Sequence, residues 1–240
     1  MSKENIKILW LYEDLLDLYG DRGNIFALTF QLKHLEVDFE IEKKSIFDEL
    51  DFDKYDFIYL GPGKDKNILR VSEHLVKYKE AVIKAVNDKK VFLVTGNAQL
   101  LFGREIEDEN GVVYPCVGLF DYVGKITGDV FINDMVSYPT FNKSSFCYGF
   151  INRTSYIVGE VESPLFEVKY SEKNIGAVEG FLKENYFSTW ALGPVLAKNP
   201  PLLKEVLCRV LGAVSVEIDD SLQNIALQKT LGEFEEVMKK

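Results

Sequence analysis

Short apolar runs alternate with segments of helical period through the first hundred residues, which predicts strands and helices in turn. Residues 6–12 read as a first strand. After the turn Gly20-Asp21-Arg22-Gly23, the positions Ile25, Leu28, Leu32 and Leu35 recur near a period of 3.6, and Asn24 stands where a helix N-cap would. Val37, Phe39 and Ile41 alternate as a half-exposed strand. Residues 55–60 form an apolar-rich strand that ends in Gly61-Pro62-Gly63, and a helix is expected from about Asn67 through the eighties. Val91-Phe92-Leu93-Val94 reads as a buried strand. It runs into Thr95-Gly96-Asn97-Ala98-Gln99, whose glycine permits a sharp turn straight into a new helix.

The second half is less regular. Residues 125–132 and 156–161 suggest antiparallel strands, and a helical region is expected after Asp219. Within residues 221–240, Leu222, Ile225, Leu227 and Leu231 sit among charges, as in a docked amphipathic helix; a partner-binding helix is the alternative. No repeat, low-complexity tract or Pro/Gly/Ser-rich linker divides the sequence. The expectation is one α/β domain over 1–240, an open and mostly parallel sheet flanked by helices, with a helical region from about 219.

Composition narrows this picture. The 47% hydrophobic content of 240 residues is enough for one sizeable core. A formal net charge of −10 argues against a nucleic-acid partner, which would call for a basic face. The opening MSKENIKILW lacks the apolar stretch of a signal peptide, and no run of about eighteen apolar residues occurs, so a soluble, cytoplasmic protein with no membrane insertion is expected. Cys116, Cys147 and Cys208 are odd in number and widely spaced, which fits reduced packing residues better than disulfides or a CxxC site. With only His34 and His74 besides, no metal and no cofactor are expected.

Chemistry is expected at the strand ends, because ligands of open α/β sheets bind beyond the carboxyl ends of the strands. Gly61-Pro62-Gly63 offers backbone amides with little side-chain obstruction, which suits an oxyanion hole, although a tight turn without chemical consequence has the same sequence.

The motifs gain force from their order. Leu15-Leu16-Asp17-Leu18-Tyr19-Gly20-Asp21-Arg22-Gly23-Asn24, Gly61-Pro62-Gly63-Lys64-Asp65 and Thr95-Gly96-Asn97-Ala98-Gln99-Leu100-Leu101-Phe102-Gly103 are followed by Gly118-Leu119-Phe120-Asp121 and Ile126-Thr127-Gly128-Asp129. Tyr148-Gly149-Phe150-Ile151-Asn152 and the segment Thr189-Trp190-Ala191-Leu192-Gly193-Pro194 complete the series. Together they resemble the class I glutamine amidotransferases, with a flavodoxin-like fold, of the kind found in the glutaminase subunit of lipid II isoglutaminyl synthase and in cobyric acid synthase. The resemblance implies hydrolysis of glutamine by a cysteine on the strand–turn–helix elbow, assisted by a histidine, with ammonia passed to a synthetase.

This sequence departs from that pattern at the two reacting positions. Where the family reads Cys-Gly-Gly-Tyr-Gln, Thr95 stands at the cysteine position, and Leu192 stands where Thr-Tyr-Leu-His-Gly-Pro places the histidine. Arg153 replaces a further histidine and Ile151 a glutamate. A threonine hydroxyl stays protonated without a strong base, Thr95 has none in its own motif, and leucine moves no proton. Gly61, Gly63, Gly96 and Gln99 remain to shape a substrate pocket, and Lys125 stands near the position of an arginine directed at glutamine. Asp21 and Arg22 read equally as functional groups or as a structural turn.

The expected function is therefore a non-hydrolysing subunit that supports a Mur-ligase-like, MurT-like synthetase, with glutamine binding left open. The enzyme alternative is an active glutaminase with another nucleophile, supplying ammonia for amidation of a cell-wall precursor or of cobyric acid. A third reading is unrelated chemistry on the same scaffold.

Overall fold

The computed structural model describes residues 5–160 and 162–238. Its first half comprises β1 (Asn5–Leu11), α1 (Gly23–His34), β2 (Asp38–Lys44), β3 (Phe57–Leu60), α2 (Asp65–Leu75), α3 (Lys79–Asn87) and β4 (Val91–Thr95). The second half begins with β5 (Glu105–Glu107), β6 (Val113–Pro115), β7 (Val123–Pro139), β8 (Cys147–Val158), β9 (Phe166–Ser171) and β10 (Val178–Glu179). Then come β11 (Phe181–Lys183), β12 (Tyr186–Thr189), β13 (Ala191–Leu192), α4 (Val195–Lys198), α5 (Pro200–Leu211) and α6 (Ser221–Met238).

Two sheets result. The first has the order β11-β12-β4-β3-β1-β2. All its pairings are parallel except that of β11 with β12. Strand alternation divides its side chains between two cores. Leu9, Leu11, Ile58, Leu60, Phe92 and Val94 pack with Ile68 and Val71 of α2 and Val82 of α3. Ile6, Ile8, Phe57, Val91 and Leu93 pack with Ile25, Leu28 and Leu32 of α1 and Leu203 and Val206 of α5. Burial on both faces explains why β3 and β4 are continuous apolar runs. The second sheet, built on β7, β8 and β9, is antiparallel apart from the β5–β7 pairing.

The mostly parallel sheet and the antiparallel strands agree with the sequence pattern, with differences of physical interest. Asn24 does not cap α1: the helix begins at Gly23 after Arg22, and the Asn24 side chain reaches Asp21 and the amide of Leu196 instead. The expected long helix after Asn67 is broken into α2, a 3₁₀ turn at Val76–Tyr78, and α3. The expected strand over 156–161 ends with β8 at Val158, and Val161 lies outside the described residues, as do Lys239 and Lys240.

The segment after the Thr95 turn is not an α-helix but a 3₁₀ helix, Gly96–Phe102. Its carbonyls are taken from outside: Tyr122 Oη donates to Gln99 O, Val117 N to Leu101 O at 3.0 Å and Phe120 N to Phe102 O at 3.1 Å. Those acceptors are no longer available to continue a helix. At Gly103 an added Cβ would lie 2.4 Å from the Tyr122 ring, so the backbone itself packs there.

α5 was not among the elements predicted. Its own signals are a Pro at the first turn, paired apolar positions at Leu202, Leu203, Val206, Leu207, Val210 and Leu211, and Gly212 in the left-handed conformation, φ 65°, behind it.

α6 docks by Leu227 and Leu231 on Val136 of β7, with Tyr148, Tyr170 and Phe234 around them, while Leu222 and Ile225 stay exposed. If this small cluster holds the helix, Leu231→Ala should lower the urea-unfolding free energy by about 2–3 kcal/mol, the low end for a buried leucine. A loss below about 0.5 kcal/mol, within the range of ordinary surface changes, would show that α6 contributes little to the folded body.

Candidate active site

β3, the end of β4 and the segments that follow β1 and β13 meet at one buried carboxylate, Asp21, which is fully shielded from solvent. Its Oδ2 accepts hydrogen bonds from Tyr59 Oη at 2.6 Å, from Asn24 Nδ2 at 3.0 Å and from the Thr95 hydroxyl; its Oδ1 accepts from Gly193 N at 3.2 Å. Burial pushes the Asp21 pKa up, and the four hydrogen bonds pull it part of the way back. Arg22 plays no part in this cluster and forms an exposed pair with Asp17.

Thr95 ends β4 in an ordinary extended conformation, φ −119°, and the left-handed residue is the next one, Gly96, at φ 59°. A nucleophile elbow works by placing the reactive residue itself on the strained turn, where its side chain projects outward. Here the strain falls on Gly96, and Thr95 stays buried with its hydroxyl turned inward to Asp21.

Leu192 closes the turn from above. The chain crosses from β12 in the first sheet to β13, which pairs with β8 in the second and sets Leu192 opposite Phe150. A Cβ on Gly96 would lie 2.8 Å from Leu192 Cδ2 and 2.8 Å from Pro62 Cβ, so only glycine fits beneath them.

The Gly61-Pro62-Gly63 turn is likewise occupied. Gly63 N donates to Asn97 Oδ1 at 3.0 Å, and Asn97 Nδ2 donates to Gly63 O at 2.8 Å and to Asp65 Oδ1 at 3.0 Å. A Cβ at Gly61 would sit 2.9 Å from Leu16 O, and one at Gly63 would sit 2.4 Å from Leu16 Cδ2. Gln99 is buried; its Nε2 donates to Gly96 O at 3.1 Å and its Oε1 has no partner. Thr95, Gly96, Gln99, Gly61, Gly63 and Leu192 are thus brought together around one turn. Lys125 is held elsewhere, paired with Glu107 across the β5–β7 ladder.

Two hollows flank this group. A cleft of about 260 Å³ is lined by Pro62, Gly63, Asn97, Asn152 and Arg153 among others. A second cavity of about 370 Å³ is bounded by Gln99, Ile151, Arg153, Glu179 and Trp190 among others. No group of His, Cys, Asp and Glu among the described residues is arranged to hold a metal ion. No helix among them is long and apolar enough to cross a membrane.

The family profile of the CobB/CobQ-like glutamine amidotransferase domain matches residues 7–200. The chain belongs to this family. Two curated relatives of this CobB/CobQ-like chain are the glutamine-hydrolyzing lipid II isoglutaminyl synthase subunits GatD of Streptococcus pneumoniae and of Staphylococcus aureus. The first is 28% identical over 82% of this chain and 77% of its own length, the second 25% identical over 81% and 79%. Among solved structures, a glutamine amidotransferase aligns with TM-score 0.54 and 12% identity over 85% of this chain and 99% of that one. The glutaminase domain of Trypanosoma brucei CTPS with bound acivicin aligns with TM-score 0.53 and 10% identity over 88% and 96%. These likenesses show a shared class I amidotransferase fold.

Three contributors were not legible in sequence. Tyr59 lies inside an apolar strand, Asn97 inside the turn motif, and Glu179 in a two-residue strand with no periodic signal. Glu179 is buried, accepts from Thr189 Oγ1 at 2.7 Å and Trp190 N at 2.6 Å, and is pushed up by burial to about 7.

Two tests follow from these carboxyls. Asp21→Ala would remove the acceptor of the Thr95 hydroxyl and of the Gly193 amide, while Tyr59 Oη and Asn24 Nδ2 keep the residue 21 carbonyl, and a loss of about 2–4 kcal/mol in urea unfolding is expected; a loss under about 1 kcal/mol would show that water replaces the carboxylate freely. For Glu179, the folded chain keeps a proton between the ordinary value of 4.5 and about 7 that the unfolded chain has released. Stability therefore falls as pH rises through that window, by up to roughly 3 kcal/mol. Glu179→Gln does not titrate and keeps one acceptor oxygen for Trp190 N, its amide now facing Thr189 Oγ1 as a donor at a cost that does not vary with pH, so the stability of the natural chain relative to this variant should be lower at about pH 8 than at about pH 5. An equal difference at both values would rule out the raised pKa.

Proposed function

We propose that this chain is a degenerate class I glutamine amidotransferase-like subunit that does not hydrolyse glutamine and that binds and supports a Mur-ligase-like, MurT-like amidating synthetase. One observation carries this reading: the groups that would react are satisfied by one another. The Thr95 hydroxyl is hydrogen-bonded to Asp21, the Gly63 amide to Asn97, and Leu192 covers Gly96. An attacking group needs access to its substrate and an oxyanion hole needs open donors; Thr95 lacks the first and the Gly63 amide is already bonded. Replacing both the nucleophile and the histidine would leave essentially background rate. Cys116 and Cys147 offer no substitute, since both are buried and pushed up to about 12.

The named relatives support a place in lipid II amidation rather than in cobyric acid synthesis, and both are subunits of a larger synthase. A partner that supplies the ligase chemistry fits that arrangement, and the fold then serves as a binding module.

A second reading, an active glutaminase, is favoured by one contact. Asp21, absent from the Thr95 motif, is a carboxylate with a raised pKa on the Thr95 hydroxyl, as a general base would be. Against it stands the complete burial of Thr95.

Ammonia release from glutamine decides between them, measured for the purified chain alone and with its Mur-ligase-like partner. Background release is expected in both settings, with co-purification of the two proteins. Because residue 95 faces inward and the left-handed turn falls on Gly96, a Thr95→Cys/Leu192→His/Asn97→Gly variant should also stay at background, and release by it would show that residue 95 reaches the substrate. Partner-dependent release by the natural chain, abolished by Thr95→Val, would overturn the proposal in favour of the Thr95–Asp21 pair.

A further inference from the structure

One face of α1 is turned to solvent and is nevertheless aromatic. Phe26 and Phe30, one turn apart, are 59% and 57% exposed, and the small residues Gly23 and Ala27 lie on the same face. The start of α6 stands near it, with Leu222 79% exposed and Ile225, a turn further on, 67%. An open groove of about 400 Å³ lies between the two helices, lined by Gly23, Ala27 and Ala197 as well as by Phe26, Phe30 and Leu222. A single exposed phenylalanine is ordinary, but two on one helix face beside exposed aliphatic side chains form a patch of the kind that another protein covers.

The groove is preformed. Gln31, on the buried side of α1, holds the main chain of Asp219, donating to its carbonyl at 2.7 Å and accepting from its amide at 3.0 Å. Gln223 Nε2 donates to Ala197 O at 2.9 Å. These bonds set α6 against α1 and α4, so little freedom is left to lose on docking. The groove also adjoins the candidate site: a Cβ on Gly23 would lie 2.4 Å from Pro194 Cγ, and the amide of the preceding Gly193 is bonded to Asp21.

Charge decides what fits. Asp219 lines the groove and Asp220 follows it, and neither carboxylate is in an ion pair with a described residue. Arg22, next to Gly23, is paired with Asp17, and Lys33 is turned onto the Phe39 ring of β2. A second copy of this chain would bring the same two aspartates and a formal net charge of −10 against them, and an anionic lipid surface would be repelled likewise. A basic, apolar segment meets no such penalty.

We propose that the groove receives an amphipathic helix of the amidating synthetase, with two large apolar side chains one turn apart set among Phe26, Phe30 and Leu222, and lysine or arginine beside them facing Asp219 and Asp220. The inference rests on the proposed role as a partner-binding subunit and names the surface that performs it. A helix suits a trough between helices, and anchors at i and i+3 or i+4 match the spacing of the two phenylalanines.

Isothermal titration of the full chain with the purified Mur-ligase-like synthetase tests this. Phe26→Ser/Phe30→Ser should weaken binding by about thirtyfold or more, as expected for lost aromatic anchors, and Leu222→Ser by about fivefold. All three side chains stand largely in solvent, so the thermal melts of the unliganded variants should overlay that of the natural chain. Asp219→Asn/Asp220→Asn should weaken binding several-fold at low salt and little at about 0.5 M salt. Phe30→p-benzoylphenylalanine should photo-cross-link to a helical, Lys/Arg-bearing segment of the synthetase. No binding by the natural chain would overturn the proposed function and this inference together. Binding that survives Phe26→Ser/Phe30→Ser, or that ignores the two aspartates at low salt, would overturn this inference alone. So would a dimer of the natural chain that the phenylalanine changes dissociate, or sedimentation with phosphatidylglycerol vesicles that they abolish.

Discussion

A single buried carboxylate joins the parts of this molecule that a glutamine amidotransferase must hold in register. Asp21 follows β1, Tyr59 belongs to β3, Thr95 ends β4, and Gly193 opens the segment before α4. Each sends its donor to the same two oxygens, and Asn24 extends the connection to Leu196. A carboxylate in a dry interior is tolerable only when its lone pairs are filled, and filling them fixes the relative positions of the segments that fill them. The strand ends are thereby locked by polar geometry, while the sheet beneath is held by apolar burial on both faces.

That lock bears directly on chemistry. An active site keeps unsatisfied groups aimed at a ligand and accepts the cost in stability; relieving that demand lets the same groups bond one another. The turn after β4 has its groups bonded to or packed against one another in three places. Thr95 turns inward, Asn97 takes both the amide and the carbonyl of Gly63, and Leu192 and Pro62 seal Gly96. The neighbouring 3₁₀ segment follows the same rule, since its carbonyls are satisfied by residues 117–122 and no longer helix follows.

Periodicity made the first half of the fold legible, because β1, β3 and β4 carry near-continuous apolar runs and α1 an evident helical spacing. The turn residues were legible too, as glycines between strand and helix. What escaped was set by long-range pairing. Asp21 and Thr95 are 74 positions apart, and neither segment alone states that one hydroxyl faces the other's carboxylate. Lys125 shows the same limit in reverse: its motif places it in a strand, but only the parallel register of β5 with β7 sets it opposite Glu107. The helical start at Asn24 was misread for a related reason, since an asparagine that suits an N-cap locally is drawn to stronger partners in the core.

Against this background of mutual satisfaction, the wall shared by Gln99, Arg153 and Trp190 is an exception. Gln99 Oε1 is buried without a donor, and the Arg153 guanidinium rests on the faces of Trp190 and Phe131 with no carboxylate of the described residues against it. Mutual satisfaction at the turn therefore does not extend across the whole pocket region.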